Sequence, residues 1–130
     1  MIDLAREVIA SLLLFIGAAL MLLAAVGAIR LPDLLTRMHA TTKAGALGAA
    51  LTIAGAAVHF ADPGVTARAA AVIAFIFLTA PVAAHLIGRA GYFVGVPLWK
   101  GTIKDELKPH YDAGNHSLRS GLEERPSDDE

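Results

Sequence analysis

Between Arg30 and Gly45 the chain sets three cations (Arg30, Arg37, Lys43), one acid (Asp33), one histidine (His39) and three threonines (Thr36, Thr41, Thr42) into 16 positions. Asp33 follows Arg30 by three residues and precedes Arg37 by four, the spacing at which a carboxylate is clasped between two guanidinia on a helix. An exposed pair of this kind is worth only about 0.2–1 kcal/mol, so stability alone is a poor reason for the cluster. It serves better to fix the shape of the loop, or to dock a partner whose carboxylates meet Arg30, Arg37 or Lys43. A second constellation follows downstream. Phe77, Pro81, His85 and Arg89 recur every four residues and line one helix face. Pro81 removes a backbone donor and leaves the carbonyl of Phe77 to be satisfied by Thr79, by a side chain of another subunit or by water. His85, one turn further, is placed to hydrogen-bond a neighbouring helix, to meet the negative end of its own helix or to relay protons.

The elements that hold these groups are read from apolar blocks. Hydrophobic residues make up 55% of the 130, and they are gathered into long runs, as in a membrane protein, not spread at the period of a soluble core. Val8 to Ile29 carries no charge over 22 residues and would span roughly 33 Å, against a hydrocarbon core of about 30 Å. Ala44 to Ala61 and Ala69 to Gly88 form two further runs. The expected fold is therefore an all-α membrane protein with three transmembrane helices, a membrane domain over 1–99 and a polar, disordered tail over 100–130. The residues before Val8, with Asp3, Arg6 and Glu7, lack the positive bias of a cleaved signal peptide.

Lysine and arginine are distributed unequally. Arg30, Arg37, Lys43, Arg89, Lys100, Lys104 and Lys108 fall on one side of the three spans, Arg6 and Arg68 on the other. The excess places the first loop and the tail in the cytoplasm and the N-terminus outside. Within the first loop, Leu31, Leu34, Leu35 and Met38 form an apolar stripe, so the segment is expected to lie as a short amphipathic helix at the membrane surface, with Pro32 at its first position. Thr41 or Thr42 would cap the second membrane helix.

That second helix carries Gly45, Gly48, Thr52 and Gly55 on one smooth face, which predicts close packing against a protein partner, since lipid gives helices no hydrophobic reason to associate. His59, at the far end of the face, reads as an interfacial histidine. His110 and His116 lack further metal ligands at suitable spacing and read as exposed. Lys104-Asp105-Glu106-Leu107 resembles a retention signal but is internal, and is discounted. There are no cysteines, hence no disulfide or thiolate chemistry. No phosphate-binding loop, nucleophile with its base or basic patch interleaved with aromatics is present, so an enzyme, a cofactor and a nucleic-acid partner are not expected. None of the three runs contains Asp or Glu, which argues against a self-sufficient cation transporter; a stand-alone pore or scaffold protein remains as the alternative.

The loop motif Arg30-Leu31-Pro32-Asp33, with Thr36-Arg37-Met38-His39-Ala40 and Thr42-Lys43, and the run Thr79-Ala80-Pro81-Val82-Ala83-Ala84-His85, resemble the G-type component of multisubunit Mrp-type sodium/proton antiporters over about residues 8–98. The resemblance implies a small accessory membrane subunit of a monovalent cation (sodium or potassium)/proton antiporter in a prokaryotic cell membrane. Its implied partners are the E- and F-type small subunits and the large antiporter-like subunits. It marks Arg30, Pro32, Asp33, Thr36, Arg37, His39, Thr42, Lys43, Pro81 and His85 as positions for assembly or the ion path. Where relatives are expected to read Ala-Ala-Tyr, this chain has Ala90-Gly91-Tyr92, and its acidic tail is outside the pattern.

Overall fold

Helix α1 runs Ile2–Arg30, beginning six residues ahead of the uncharged stretch that starts at Val8. The computed structural model describes residues 1–103, 105–112, 114–115 and 117–118. At about 1.5 Å per residue, 29 residues reach roughly 43 Å, longer than the hydrocarbon core, so the first turns project beyond it. That overhang is where Asp3 and Arg6 fit, paired at 3.5 Å.

The middle of the chain departs from expectation. Helix α2 (Leu34–Ala40) does not stop at the membrane surface; a π turn (Thr41–Gly45) carries it directly into α3 (Ala46–Phe60), making one 27-residue span from Leu34 to Phe60. With no break before α3, Thr41 and Thr42 cap nothing. Their hydroxyls turn back onto the helix: Thr41 Oγ1 donates to the carbonyls of Arg37 and Met38 at 3.1 and 3.0 Å, and Thr42 Oγ1 donates to Met38 at 2.7 Å. Hydroxyls competing with backbone N–H groups for the same carbonyls loosen the usual i−4 register, and the wider π turn is accommodated there.

A tight turn joins α3 to α4. Ala61 takes the left-handed conformation (φ 51°), and Asp62 caps α4 by accepting the Val65 N–H at 2.8 Å, with Pro63 in the first turn. Helix α4 (Pro63–Val94) runs 32 residues through Pro81 without ending, because the span continues on both sides of the missing donor. Thr79 does not reach the Phe77 carbonyl; its hydroxyl donates to Phe75 at 2.7 Å, the i−4 partner its rotamer favours. Three stretches are thus long and apolar enough to cross a membrane, and the chain is a multi-pass membrane protein.

The interior is small and the exterior large. Among the described residues the buried apolar positions are Ala10, Ala24, Ala50, Ala57 and Ala69, joined by buried Gly17, Gly48 and Gly55. Phe15, Leu22, Phe75, Leu78 and Leu86 are all exposed. The smooth face of the middle helix is covered by α1 of the same chain. A Cβ on Gly48 would fall 2.8 Å from the Gly17 carbonyl and 2.9 Å from the Met21 nitrogen, and one on Gly55 would fall 3.1 Å from the Ala10 carbonyl. The close packing expected of this face is supplied by α1 within the molecule.

Beyond α4, residues 105–112 return to its end. Tyr92 Oη donates to Asp105 Oδ1 at 3.0 Å, and Tyr111 Oη donates to the Phe93 carbonyl at 2.8 Å, with the Tyr111 ring against Tyr92 and Phe93. A 3-10 turn (Lys108–His110) leads into a two-stranded antiparallel pair, β1 (Tyr111–Asp112) with β2 (Ser117–Leu118). The expectations for Lys104, His116 and the acidic end Asp128, Asp129 and Glu130 lie outside the described residues.

Candidate functional site

The loop constellation is organised by Asp33, though not as an acid between two arginines. It is the N-cap of α2: its Oδ1 accepts the Thr36 N–H at 2.9 Å and the Thr36 hydroxyl as well. The Thr36 hydroxyl, then its N–H, hold the Asp33 carboxyl below its ordinary value against an opposing contribution from desolvation, with a smaller lowering from the Trp99 backbone. Arg37 folds the other way, its Nε donating to the Leu31 carbonyl at 2.7 Å. Asp33 forms no ion pair with Arg30 or Arg37. The same sequence spacing suits a cap and a clasp, and the cap wins because it satisfies orphan helix N–H groups that an exposed ion pair would leave to solvent. Arg37 and Asp33 together pin the chain on both sides of Pro32.

The apolar stripe of α2 is packed against α4 and not laid on the membrane. A Cβ on Gly88 would lie 3.2 Å from Met38 Cε and 3.5 Å from Leu35 Cδ2, and one on Gly91 would collide with Leu34 Cδ2. Gly91, where relatives are expected to carry alanine, gives Leu34 its seat. On the other flank Gly27 of α1 admits Ala40, whose Cβ would be 2.7 Å from a Cβ at that glycine. The short helix is therefore wedged between the C-terminal ends of α1 and α4.

This wedge brings the two constellations together. His39, Thr42 and Lys43 from α2 and the π turn face Pro81 and His85 of α4 across a groove of about 600 Å³. Met38, Ala46, Leu47, Phe77, Ala80 and Ala84 complete its walls. A second groove of about 410 Å³ adjoins it along α4, sharing Met38, Ala84 and His85 and adding Arg89, Phe93 and Leu107. The Arg89 guanidinium lies over the Phe93 ring, 5.1 Å from its centre. Arg30, Pro32, Asp33, Thr36 and Arg37 do not line the first groove; they lie at the α1–α2 junction, where they set the angle of α2. Gly45, Gly48, Thr52 and Gly55 line the opposite side of the middle helix, toward α1, or the helix itself: Thr52 Oγ1 donates to the Gly48 carbonyl at 2.9 Å.

Three features were missed in sequence: the π turn, the glycines Gly17, Gly27, Gly88 and Gly91 that receive the middle helix, and the return of residues 105–112 to α4. Only the first left a sequence signal, the consecutive threonines. Among the described residues no group of three or more His, Asp or Glu side chains gathers as a metal site. The groove offers cations and apolar walls.

Residues 13–92 match a family model described as Na+/H+ antiporter subunit. The G-type Na(+)/H(+) antiporter protein of Alkalihalophilus pseudofirmus is 42% identical over 110 residues, covering 83% of this chain and 92% of that protein. The G1-type antiporter protein of Staphylococcus saprophyticus is 40% identical over 102 residues, 77% of this chain and 86% of its own. Among solved structures, a chain of the Mrp complex from Dietzia sp. superposes with a TM-score of 0.76 at 29% identity, covering 80% of this chain and 94% of that one. A chain of an archaeal membrane-bound sulfane sulfur reductase superposes with a TM-score of 0.72 at 36% identity, covering 79% and 96%. On that match over both motifs and all three spans, the chain belongs to the G-type family of Na+/H+ antiporter subunits.

Proposed function

We propose that this chain is an accessory membrane subunit of a multisubunit monovalent cation/proton antiporter and works through its contacts with the other subunits, not as a transporter or enzyme by itself. The observation that carries the reading is the match of both motifs and all three spans to antiporter subunits, with a fold that leaves apolar surface for neighbours. Alanine and glycine close the interior while the large apolar residues of α1 and α4 face outward, a surface available to lipid and to neighbouring membrane subunits alike. Likeness to a chain of the Mrp complex, and to one of a respiratory membrane complex, supports a role inside an assembly. The E- and F-type small subunits and the large antiporter-like subunits are the proposed neighbours. The charge asymmetry supports a cytoplasmic tail and an external N-terminus.

Co-purification decides the reading. The tagged chain extracted in mild detergent should bring the other antiporter subunits with it, and deleting the chain should abolish sodium- or potassium-driven proton movement in membrane vesicles. Recovery of the chain alone, or cation flux through the chain alone in liposomes, would favour the stand-alone pore. A role for His85 in proton traffic is checked separately: the His85→Gln complex should assemble, and an unaltered pH profile of antiport would leave His85 with a structural role only.

A further inference from the structure

We infer that the groove between the π turn and α4 is a binding site for an anionic phospholipid, whose headgroup phosphate meets Lys43, His39 and His85 while an acyl chain lies along Leu47, Phe77 and Ala80. The inference rests on the membrane-spanning placement of the helices and not on the antiport reading. Charge comes first. None of the residues lining the groove is acidic, and among the described residues Lys43 and Arg89 form no ion pair. A lysine ammonium and two imidazoles that each carry at least one N–H donor line the groove with no acid among its walls, and Arg89 lines the adjoining groove, where the Asp105 carboxylate is taken up by the Tyr92 hydroxyl and the Leu107 and Lys108 N–H groups. That end is the one near the membrane surface, since Lys43 lies 17 residues, about 26 Å, from Phe60 at the other end of the same span, close to the full thickness of a hydrocarbon core of about 30 Å, and Arg89 is five residues from the end of α4. From there the walls become wholly apolar toward Phe77, in the bilayer direction. A cationic mouth at headgroup level over an apolar floor is the complement of an anionic lipid, and basic pockets between helices on the cytoplasmic side are where such headgroups bind.

The cationic mouth distinguishes an anionic lipid from a neutral one, and the apolar floor suits its acyl chain. The groove is open along one side and holds about 600 Å³, room for a hydrocarbon chain with contacts at about 4 Å. His39, Lys43, Phe77, Pro81 and His85 are exposed, so a lipid reaches the groove from the side.

The test uses the whole complex, purified in mild detergent and examined for retained lipid by native mass spectrometry. Wild-type complex incubated with mixed phosphatidylglycerol and phosphatidylcholine vesicles should retain phosphatidylglycerol in preference. Lys43→Gln should weaken that retention about fivefold, the effect of roughly one surface cation on an anionic lipid, while Lys43→Arg keeps it. Leu47→Trp, which fills the floor and leaves the charges, should also reduce it. Equal retention of the two lipids by the wild-type complex would overturn the site without recourse to any variant. So would a zero-length carbodiimide cross-link from Lys43 to a neighbouring subunit, which would place a partner's carboxylate where the phosphate is assigned. Subunit composition, read in the same spectra, reports the antiporter assembly independently.

Discussion

Along α1 the middle helix is met by backbone; along α4 it is met by side chains and, at one level, by a groove. The first seam runs Gly17 to Gly48 and Ala10 to Gly55, with projected Cβ contacts near 3 Å that leave no room for even one methyl group. The second is held at the α2 end by Leu34, Leu35 and Met38 over Gly88 and Gly91, then opens beside Pro81. The same small-residue helix serves both. Where both partners supply small residues the backbones lock; where one side supplies Phe77, Pro81 and His85, space remains that a further molecule can enter. The first seam therefore sets the fold, and the second is where assembly and ligand chemistry can act without unfolding the chain.

That contrast is broken most forcefully at Gly48. Gly48→Leu drives a side chain into the Gly17 carbonyl and the Met21 backbone, neither of which can step aside as a side-chain tip can. Overpacking costs about 1–3 kcal/mol where side chains yield, and more where backbone must move. The expected result is loss of the folded chain from the membrane, seen as proteolysis in immunoblots of membrane fractions. Normal accumulation would mean that α1 and the middle helix do not share this seam. Leu47→Trp, one residue away but facing the groove, should accumulate normally.

The junction between the seams depends on the Asp33 cap. Asp33→Ala should lower the thermal midpoint of the purified complex by a few degrees, and Asp33→Asn, whose amide oxygen also caps, should recover most of it. The sign with pH follows from the lowered carboxyl value. The stabilisation is fully present above 3.8, the ordinary value, and is lost as pH falls through the lower folded value. Wild-type protein should therefore lose this increment in acid whereas Asp33→Asn does not. Parallel acid curves for the two would show that ionised Asp33 contributes nothing to the cap.

A smaller effect is expected at the end of α4. Tyr111→Phe removes the hydrogen bond to the Phe93 carbonyl but keeps the ring contacts, at a cost of about 0.5–1.5 kcal/mol. Hydrogen exchange over residues 105–112 should rise severalfold with no change in the spans. Protection that stays at the wild-type level would place those residues under the control of other contacts.

How much of this was written in the sequence varies with the range of the interaction. The spans were legible because uncharged runs of bilayer length have few other uses; their ends were not, since a helix continues beyond the hydrocarbon and tolerates Asp3 and Arg6 there. The small face from Gly45 to Gly55 was legible as a packing surface, but nothing in its residues says that α1 covers it. Periodicity names a face and not its partner. Asp33 shows a different limit, since its spacing to Arg30, Arg37 and Thr36 permits two structures and only the backbone at Leu34 decides. Thr41 and Thr42 were read as an end when they mark a change of helical pitch, because threonine hydroxyls serve both purposes. The convergence of the two motifs on one groove required the wedge of α2, a contact across about 50 residues of chain that no local pattern carries.

The smallest effect is the most discriminating. Gly45 belongs to the same sequence pattern as Gly48 and Gly55, and by pattern alone an added methyl group should hurt equally at all three. Geometry separates them. A Cβ at Gly45 would meet only Ala24 Cβ, at 3.6 Å, an ordinary contact distance, whereas at Gly48 it meets backbone at 2.8–2.9 Å. Gly45 lies in the π turn, with no left-handed backbone requirement, so alanine also reduces the freedom of the unfolded chain. Gly45→Ala should then be neutral or stabilising by up to about 1 kcal/mol in a thermal unfolding measurement, while Gly48→Ala destabilises. Equal destabilisation at both positions would mean that α1 lies as tightly against the π turn as it does against Gly48, with no slack at Gly45 for a methyl group.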